Sequence, residues 1–302
     1  MDVTVVGAGV IGLTTAVELQ HAGHAVQVVA AATGEATTSA VAGALWFPFR
    51  AHPPARVNRW ARISRKHLEV LAAAFPEAGV DVLTAYEAAD SMETPWWAAS
   101  APHLSWVTES PLGGPAWRFR APRVEPELFL GWLERQLQRP IQRQKVTSLE
   151  AVEGDAVVHC TGLGARALAG DPTLQAVYGQ VLLVAPGELD RQASLGDERD
   201  EKAMLYCIPR RHEVVLGGCA LACPDDQSLT PRPAVRDAIL ARARAAGLRH
   251  GPVLAERAGL RPYRPTVRLE QEGRVIHNYG HGGAGYTLAY GCAGEVVALL
   301  GR

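Results

Sequence analysis

The chain has 302 residues, 48% of them hydrophobic and 20% charged, with 30 basic against 31 acidic side chains. That is enough chain for two compact layers around a shared ligand, and the near cancellation of charge excludes an electrostatic footprint for nucleic acid or an anionic membrane. No apolar run reaches membrane-spanning length, the acidic and glycine-interrupted start is unlike a signal peptide, and five cysteines without a CxxC pair favour a reducing cytosol, so a small ligand and a cytoplasmic address are expected.

Residues 3–7 read as a buried strand, 10–22 as a helix with apolar spacing and 25–29 as a second strand, a β-α-β unit. A helical pattern over 55–75 leads into a tryptophan- and proline-rich stretch, SMETPWW to PLGGPAWRF, which suits irregular connections and sheet edges. Helical period returns over 124–139 with proline in the first turn, and 155–162 is a short buried strand ending in glycine. GQVLLVAP, AMLYCIPR and HEVVLGG read as successive strands, the last two joined by a tight turn at Arg210 and Arg211. A helix over 233–246 precedes a strand into GLRPYRP, a strand RVIHNYG, and a final helix after GHGGAG. Helix–strand alternation at the N-terminus, middle and C-terminus, with strand-rich stretches between, predicts two domains assembled from non-contiguous segments.

GAGVIG (Gly7, Gly9, Gly12) fits GxGxxG in the context that motif needs, directly after a strand and opening a helix. Gly7 permits the tight turn, Gly9 lets the backbone approach a pyrophosphate, and Gly12 lets the helix pack on the strand, with the phosphates at the helix N-terminus. The motif alone does not separate NAD from FAD. About 20 residues on, where an acid usually holds the adenosine ribose, stands Ala31. Glu35, Thr37, Thr38 and Ser39 are the nearest side chains able to hold hydroxyls, and spacing alone leaves a solvated loop and a ribose site as equal readings of that cluster.

The blocks VVGAGVIGLTTA, TTSAVAGALWFPFRA, CTGLGARALAGDP, YGQVLLV, YCIPRRHEVVLGG, GLRPYRP and VIHNYGHGGAGYTLAYGCA span nearly the whole chain and resemble the FAD-dependent D-amino acid oxidase family. GLRP followed by HNYGHGGAG is the specific part. The resemblance implies an α/β fold in which a Rossmann-like FAD-binding domain (1–52, 122–175 and 264–302) and a mixed-sheet α+β substrate domain (53–121 and 176–263) are built from interleaved segments. It implies FAD as cofactor, and oxidative deamination of D-amino acids to 2-oxo acids, ammonia and hydrogen peroxide by hydride transfer from Cα to flavin N5. The expected partners are a D-amino acid and dioxygen, without nucleic acid, membrane or metal, and with a homodimer as the assembly in view.

From composition alone Arg261 is a surface arginine beside Arg264 and Arg268, and Tyr206 a packed strand tyrosine. The resemblance places Arg261 on the family's carboxylate-binding arginine, whose planar fork suits a carboxylate better than a lysine does. It places Tyr206 on a tyrosine that contacts the same carboxylate, and Gly283 on the position whose carbonyl accepts from the substrate amine. Phe47, Phe49 and Ile208 complete the substrate side. For the cofactor the resemblance implies the loop Gly7, Ala8, Gly9, Val10, Ile11 and Gly12, then Thr37, Thr38, Ser39, Gly43, Ala44, Leu45 and Val146, with Arg261, Gly282, Gly283, Gly285, Tyr286 and Thr287 near the flavin.

Three positions depart from the family pattern: Ala31 replaces the ribose acid, Lys202 a second tyrosine on a mobile lid, and Ala284 an aromatic after the glycine pair. Acidic D-amino acids call for an extra basic side chain near VVLGG; the matching position is Ala220, so neutral D-amino acids are expected. One rival is another flavin amine oxidase, acting on glycine, a secondary amine or D-aspartate. The other is a nucleotide-binding protein without oxidase activity, which Ala31 and Lys202 favour and an Arg261–Tyr206 clamp opposes. His277 and His281 have the spacing of metal ligands, but a glycine turn intervenes and no acid or cysteine completes a set.

Overall fold

The computed structural model describes residues 1–200, 203–223 and 229–301. β1 (Asp2–Val6), α1 (Val10–His21) and β2 (Ala25–Ala30) form the expected N-terminal β-α-β unit. α2 (Thr38–Val41) and the long α3 (Pro54–Ala74) precede β3 (Val80–Ala88), β4 (Ser105–Val107) and β5 (Ala116–Val124). α4 (Pro126–Arg135), β6 (Gln142–Arg143), β7 (Ala156–His159) and α5 (Ala165–Leu168) follow. Next come β8 (Gln175–Val184), β9 (Ala193–Asp197), β10 (Leu205–Pro209), β11 (Val214–Gly217) and β12 (Leu221–Ala222). The order closes with α6 (Pro233–Ala245), β13 (Val253–Glu272), β14 (Val275–His281) and α7 (Gly285–Leu300).

The strands pair in the order β4-β5-β3-β9-β10-β11-β8-β13-β14-β7-β1-β2-β6, with β12 on β8. From β14 to β6 every pairing is parallel. β7 is buried along its whole length and β1 from its second residue on, so both read as continuous apolar runs and not as alternation. β8, β11, β10 and β9 pair antiparallel and β9 joins β3 in parallel, which makes the other part mixed.

β13 belongs to both parts. Its first half pairs with β8 as far as Tyr263, which also meets His281 of β14, and from Arg268 onward it pairs with β14 continuously. Pro265 falls in the irregular stretch between those two positions, where no ladder N–H is required of it. One strand thereby carries Arg261 from the mixed part toward the parallel part.

A helix was expected over 124–139, but α4 is shorter: Val124 ends β5, Glu125 takes the N-cap and Pro126 opens the helix, where its missing N–H costs nothing. The tryptophan-rich stretch runs, as expected, through irregular connections to the sheet edge at β4, where Trp106 and Trp117 pair across β4 and β5 with ring centroids 5.3 Å apart. The turn after β10 occupies Arg210–Glu213, closed by Arg210 N–H to Glu213 O at 2.8 Å. Trp97 of PWW is buried against Phe47, with centroids 5.2 Å apart, whereas Trp96 is exposed.

The main core joins β1, β2 and β5 to α1, α3, α4 and α7, with Trp46, Trp60, Leu13 and Leu133 fully buried in it. A separate cluster of Leu182, Leu195, Leu216 and Ile239 packs α6 on the mixed part. Among the described residues no helix is long and apolar enough to cross a membrane.

Candidate active site

A cavity of about 890 Å³ is lined at one end by the glycine loop and at the other by β10 and β13. At the loop end Gly7 has a φ of +119°, and a Cβ there would lie 2.3 Å from Cys160 O. One on Gly12 would lie 1.9 Å from Gly7 O. Both glycines are fixed by close packing. Gly9 differs, because an added Cβ would meet only Ser39 Oγ, at 3.1 Å, and the residue lines the cavity. Its missing side chain is the space a pyrophosphate needs.

Val10 N–H donates to Ser39 Oγ at 3.0 Å, and the turn first closes on itself with Leu13 N–H to Gly9 O at 3.0 Å. The N–H groups of Ile11 and Gly12 therefore lack acceptors within α1. α7 begins alongside, since a Cβ on Gly285 would lie 3.3 Å from Val10 Cγ1. Two helix N-termini thus converge on one cavity, and their positive ends favour a ligand that carries or gains negative charge. Open cradle and donors together fit FAD, with Gly9, Ser39 and the start of α1 toward its phosphates and Gly282–Gly285 toward its flavin.

The segment between α2 and α3 is pinned to α7. Tyr286 OH donates to Ser39 O at 3.0 Å, and Thr287 Oγ1 donates to Phe47 O at 2.9 Å while accepting Phe47 N–H at 3.1 Å. Thr287 consequently stands off the cavity and positions Phe47, and Gly12 lies behind the loop. Ala8, Ile11, Thr37, Thr38, Gly43, Ala44, Leu45 and Val146 do line it. Ala31 lines it beside Ala30, Ala32 and Ala36, whereas Glu35 does not. An Ala31→Asp variant is expected to slow FAD loss on dialysis roughly fivefold through one added hydrogen bond of about 1 kcal/mol; unchanged retention would place the ribose elsewhere.

At the other end glycines make room for the polar side chains. A Cβ on Gly179 would fall 2.5 Å from Arg261 Nη1, and Cβ atoms on Gly217 and Gly218 would fall 2.1 Å and 2.4 Å from the Tyr206 ring. Arg261 Nη1 donates to Cys219 O at 2.7 Å, and the guanidinium stands near enough to the Tyr206 hydroxyl to act on it electrostatically. Burial pushes the Tyr206 phenol up against the opposing pull of Arg261, so it keeps its proton and has an O–H to donate. Among the described residues no carboxylate forms an ion pair with Arg261. Gly283 lies between Phe49 and Arg261, its added Cβ 2.6 Å from Phe49 Cδ1 and 3.5 Å from Arg261 Cδ. Ile208 closes over Gly43, at 2.8 Å by the same measure.

The structure thus brings Tyr206, Arg261, Gly283, Phe47, Phe49 and Ile208 to one end of the cavity. Lys202 lies outside the described residues. Ala284 is buried at the start of α7. His277 and His281 are not a pair: His277 Nδ1 lies 3.1 Å from His159 Nδ1, and burial pushes His281 down to about 3, which leaves it neutral.

Sequence reasoning missed two groups at the substrate end. Gly179, Gly217 and Gly218 carried a signal, because glycine inside a strand marks a close approach. Glu87 and Glu198 carried none, since no motif surrounds them. Burial pushes Glu198 up to about 7 against the pull of Arg50 and Arg261. Burial raises Glu87 well above the usual carboxylate range, and repulsion from Glu198 and Asp197 adds to it.

The family model described as FAD dependent oxidoreductase matches residues 2–299. A D-amino-acid oxidase of Rubrobacter xylanophilus is 41% identical, over 98% of this chain and 95% of that protein. A D-amino-acid oxidase of Streptomyces coelicolor is 38% identical, over 99% and 96%, and a D-aspartate oxidase of Homo sapiens is 31% identical, over 99% and 94%. Among solved structures, glycine oxidase from Geobacillus kaustophilus superimposes with a TM-score of 0.83 at 19% identity, covering 100% of this chain and 94% of that one, which speaks for the fold.

Proposed function

The chain belongs to the family of FAD dependent oxidoreductases, and from that membership we propose that it is a D-amino acid oxidase, converting D-amino acids to 2-oxo acids with release of ammonia and hydrogen peroxide. The observation that carries the substrate side of this reading is the Arg261 fork. It is steadied by Cys219 O, lies beside the Tyr206 hydroxyl, and stands at the end of the cavity away from the glycine loop.

FAD, when bound, supplies the acceptor for the hydride leaving the substrate Cα and passes the electrons to dioxygen. The protein's own contribution is placement. Arg261 grips the α-carboxylate through paired N–H donors, and the Tyr206 O–H adds a third. The Gly283 carbonyl accepts from the neutral α-amine, whose lone pair drives hydride departure and formation of the imino acid that water then hydrolyses. Phe47, Phe49 and Ile208 keep this end apolar, and the N-terminus of α7 stabilises negative charge developing there. No side chain is asked to remove the Cα proton. The same reading gives 1–52, 122–175 and 264–302 to the cofactor and 53–121 and 176–263 to the substrate, with β13 crossing between them. Five free, buried cysteines favour a reducing, cytoplasmic setting for it.

Substrate profiling tests the reading. D-alanine, D-valine and D-methionine are expected to show kcat/KM at least about tenfold above D-aspartate, because a second carboxylate would be desolvated beside the acidic side chains Glu87 and Glu198. A peroxide-coupled assay in which D-aspartate, glycine or a secondary amine exceeds D-alanine would favour the rival oxidases.

A further inference from the structure

The strand register places a row of residues across the face of the sheet that bounds the substrate end. Glu87 on β3 pairs with Gly196 on β9, Gly196 with Tyr206 on β10, and Tyr206 with Gly217 on β11. Residues in one such row project to the same face, so Glu87 and Tyr206 share it with a glycine between them. Two strand spacings, about 10 Å, separate their backbones. Gly196 is needed there, since a Cβ on it would lie 2.1 Å from Glu87 Oε2. The Glu87 carboxylate therefore lies over Gly196, toward the strand that carries Tyr206. Glu198 stands two residues beyond Gly196, near enough to act electrostatically on the Glu87 carboxylate. Both glutamates line the cavity, with Leu195, Met204 and Ile208 as its apolar wall.

We propose that Glu87 and Glu198 form a side-chain subsite for cationic D-amino acids, receiving a terminal ammonium or guanidinium while Arg261 and Tyr206 hold the α-carboxylate. The inference rests on the oxidase reading above and names a substrate class for the same site.

A count of charge supports it. Arg199, the cation acting on Glu87, is bound to Asp197 at 2.8 Å and to Asp90 at 2.7 Å. Arg50 acts on Glu198 while its guanidinium stands 5.1 Å from the Phe49 ring centroid. With an α-carboxylate on Arg261, a lysine-like side chain brings a positive charge that favours the ionised forms of both glutamates, a neutral one brings none, and an acidic one opposes them. The desolvation that raises both carboxylates is the cost such a cation relieves. The wall of Leu195, Met204 and Ile208 suits an aliphatic stem, so neutral side chains of the same length fit the space but leave its far end unmatched.

The test uses the FAD-loaded protein with D-alanine, D-lysine and D-norleucine, the last a neutral match for the lysine stem. D-lysine is expected to exceed D-norleucine in kcat/KM by about tenfold, and Glu87→Gln and Glu198→Gln to lower that ratio by about tenfold each, the worth of a hydrogen bond to a charged group. Flavin absorbance and thermal midpoint report whether each variant is folded and loaded. A readout without turnover comes from calorimetry, in which 6-aminohexanoate is expected to bind more tightly than hexanoate and to lose that advantage in both variants. D-alanine turnover with a D-lysine to D-norleucine ratio at or below one, or a ratio that neither variant moves, would overturn the inference alone. Failure of D-alanine as well would overturn the oxidase reading and this inference with it.

Discussion

Replacing Arg261 by methionine is expected to lower kcat/KM for D-alanine by about a thousandfold. The substrate carboxylate would enter a cavity whose paired cation has gone, and an unmatched buried charge costs about 4 kcal/mol. Gly179 shows how closely the site is cut to this side chain, since even one methyl group there would strike the guanidinium. Lysine should recover only about tenfold of the loss, because its ammonium cannot form the paired bonds of a planar fork and would leave Cys219 O imperfectly met. Steady-state peroxide production with D-alanine measures both variants. A loss below tenfold in the methionine variant would mean that another group holds the carboxylate.

The second large effect is expected at Gly7. An alanine there must adopt a φ of +119° and place its Cβ 2.3 Å from Cys160 O, so the start of α1 has to separate from the loop after β7. Backbone strain and overpacking together cost at least about 3 kcal/mol, lowering Tm by roughly 6 °C or more and abolishing FAD binding. Gly9→Ala supplies the contrast. Its added methyl meets only Ser39 Oγ, so the fold should hold while FAD affinity falls. Thermal unfolding of the two apoproteins together with FAD titration separates the cases; equal Tm values would contradict the packing account of Gly7.

How much of this was legible beforehand differs by element. The β1–α1–β2 unit was readable to within a residue because its strands are apolar on both faces and its glycines have only one common use. The strand holding Arg261 was readable, but not its length, since the two prolines in GLRPYRP hide a strand that passes from β8 to β14 at Tyr263 and shifts register before Arg268. β3 was missed because VDVLTAYEA mixes acids and alanines with its apolar residues, and only its partners β5 and β9 make it a strand. That omission also hid Glu87. Thr287 shows a different limit: its place in the motif did not reveal that its hydroxyl is bonded to the Phe47 backbone.

The glycines over Arg261 and Tyr206 fall between these cases. GQVLLVAP and HEVVLGG were read as strands, and strand glycines announce a close approach, but only the register shows what approaches. Gly179 opposes Gly259 on β13, and Gly217 opposes Tyr206 on β10. Each large polar side chain of the clamp lies over glycine, which fixes its direction, and Arg261 is held further by its bond to Cys219 O.

The most direct test of the account is anaerobic addition of D-alanine and of L-alanine, separately, to the FAD-loaded protein, followed by its visible absorbance. The arrangement of Arg261, Tyr206 and Gly283 predicts that D-alanine bleaches the flavin band fully and that L-alanine leaves it unchanged. Bleaching by L-alanine, or a flavin band that D-alanine does not touch, would contradict it.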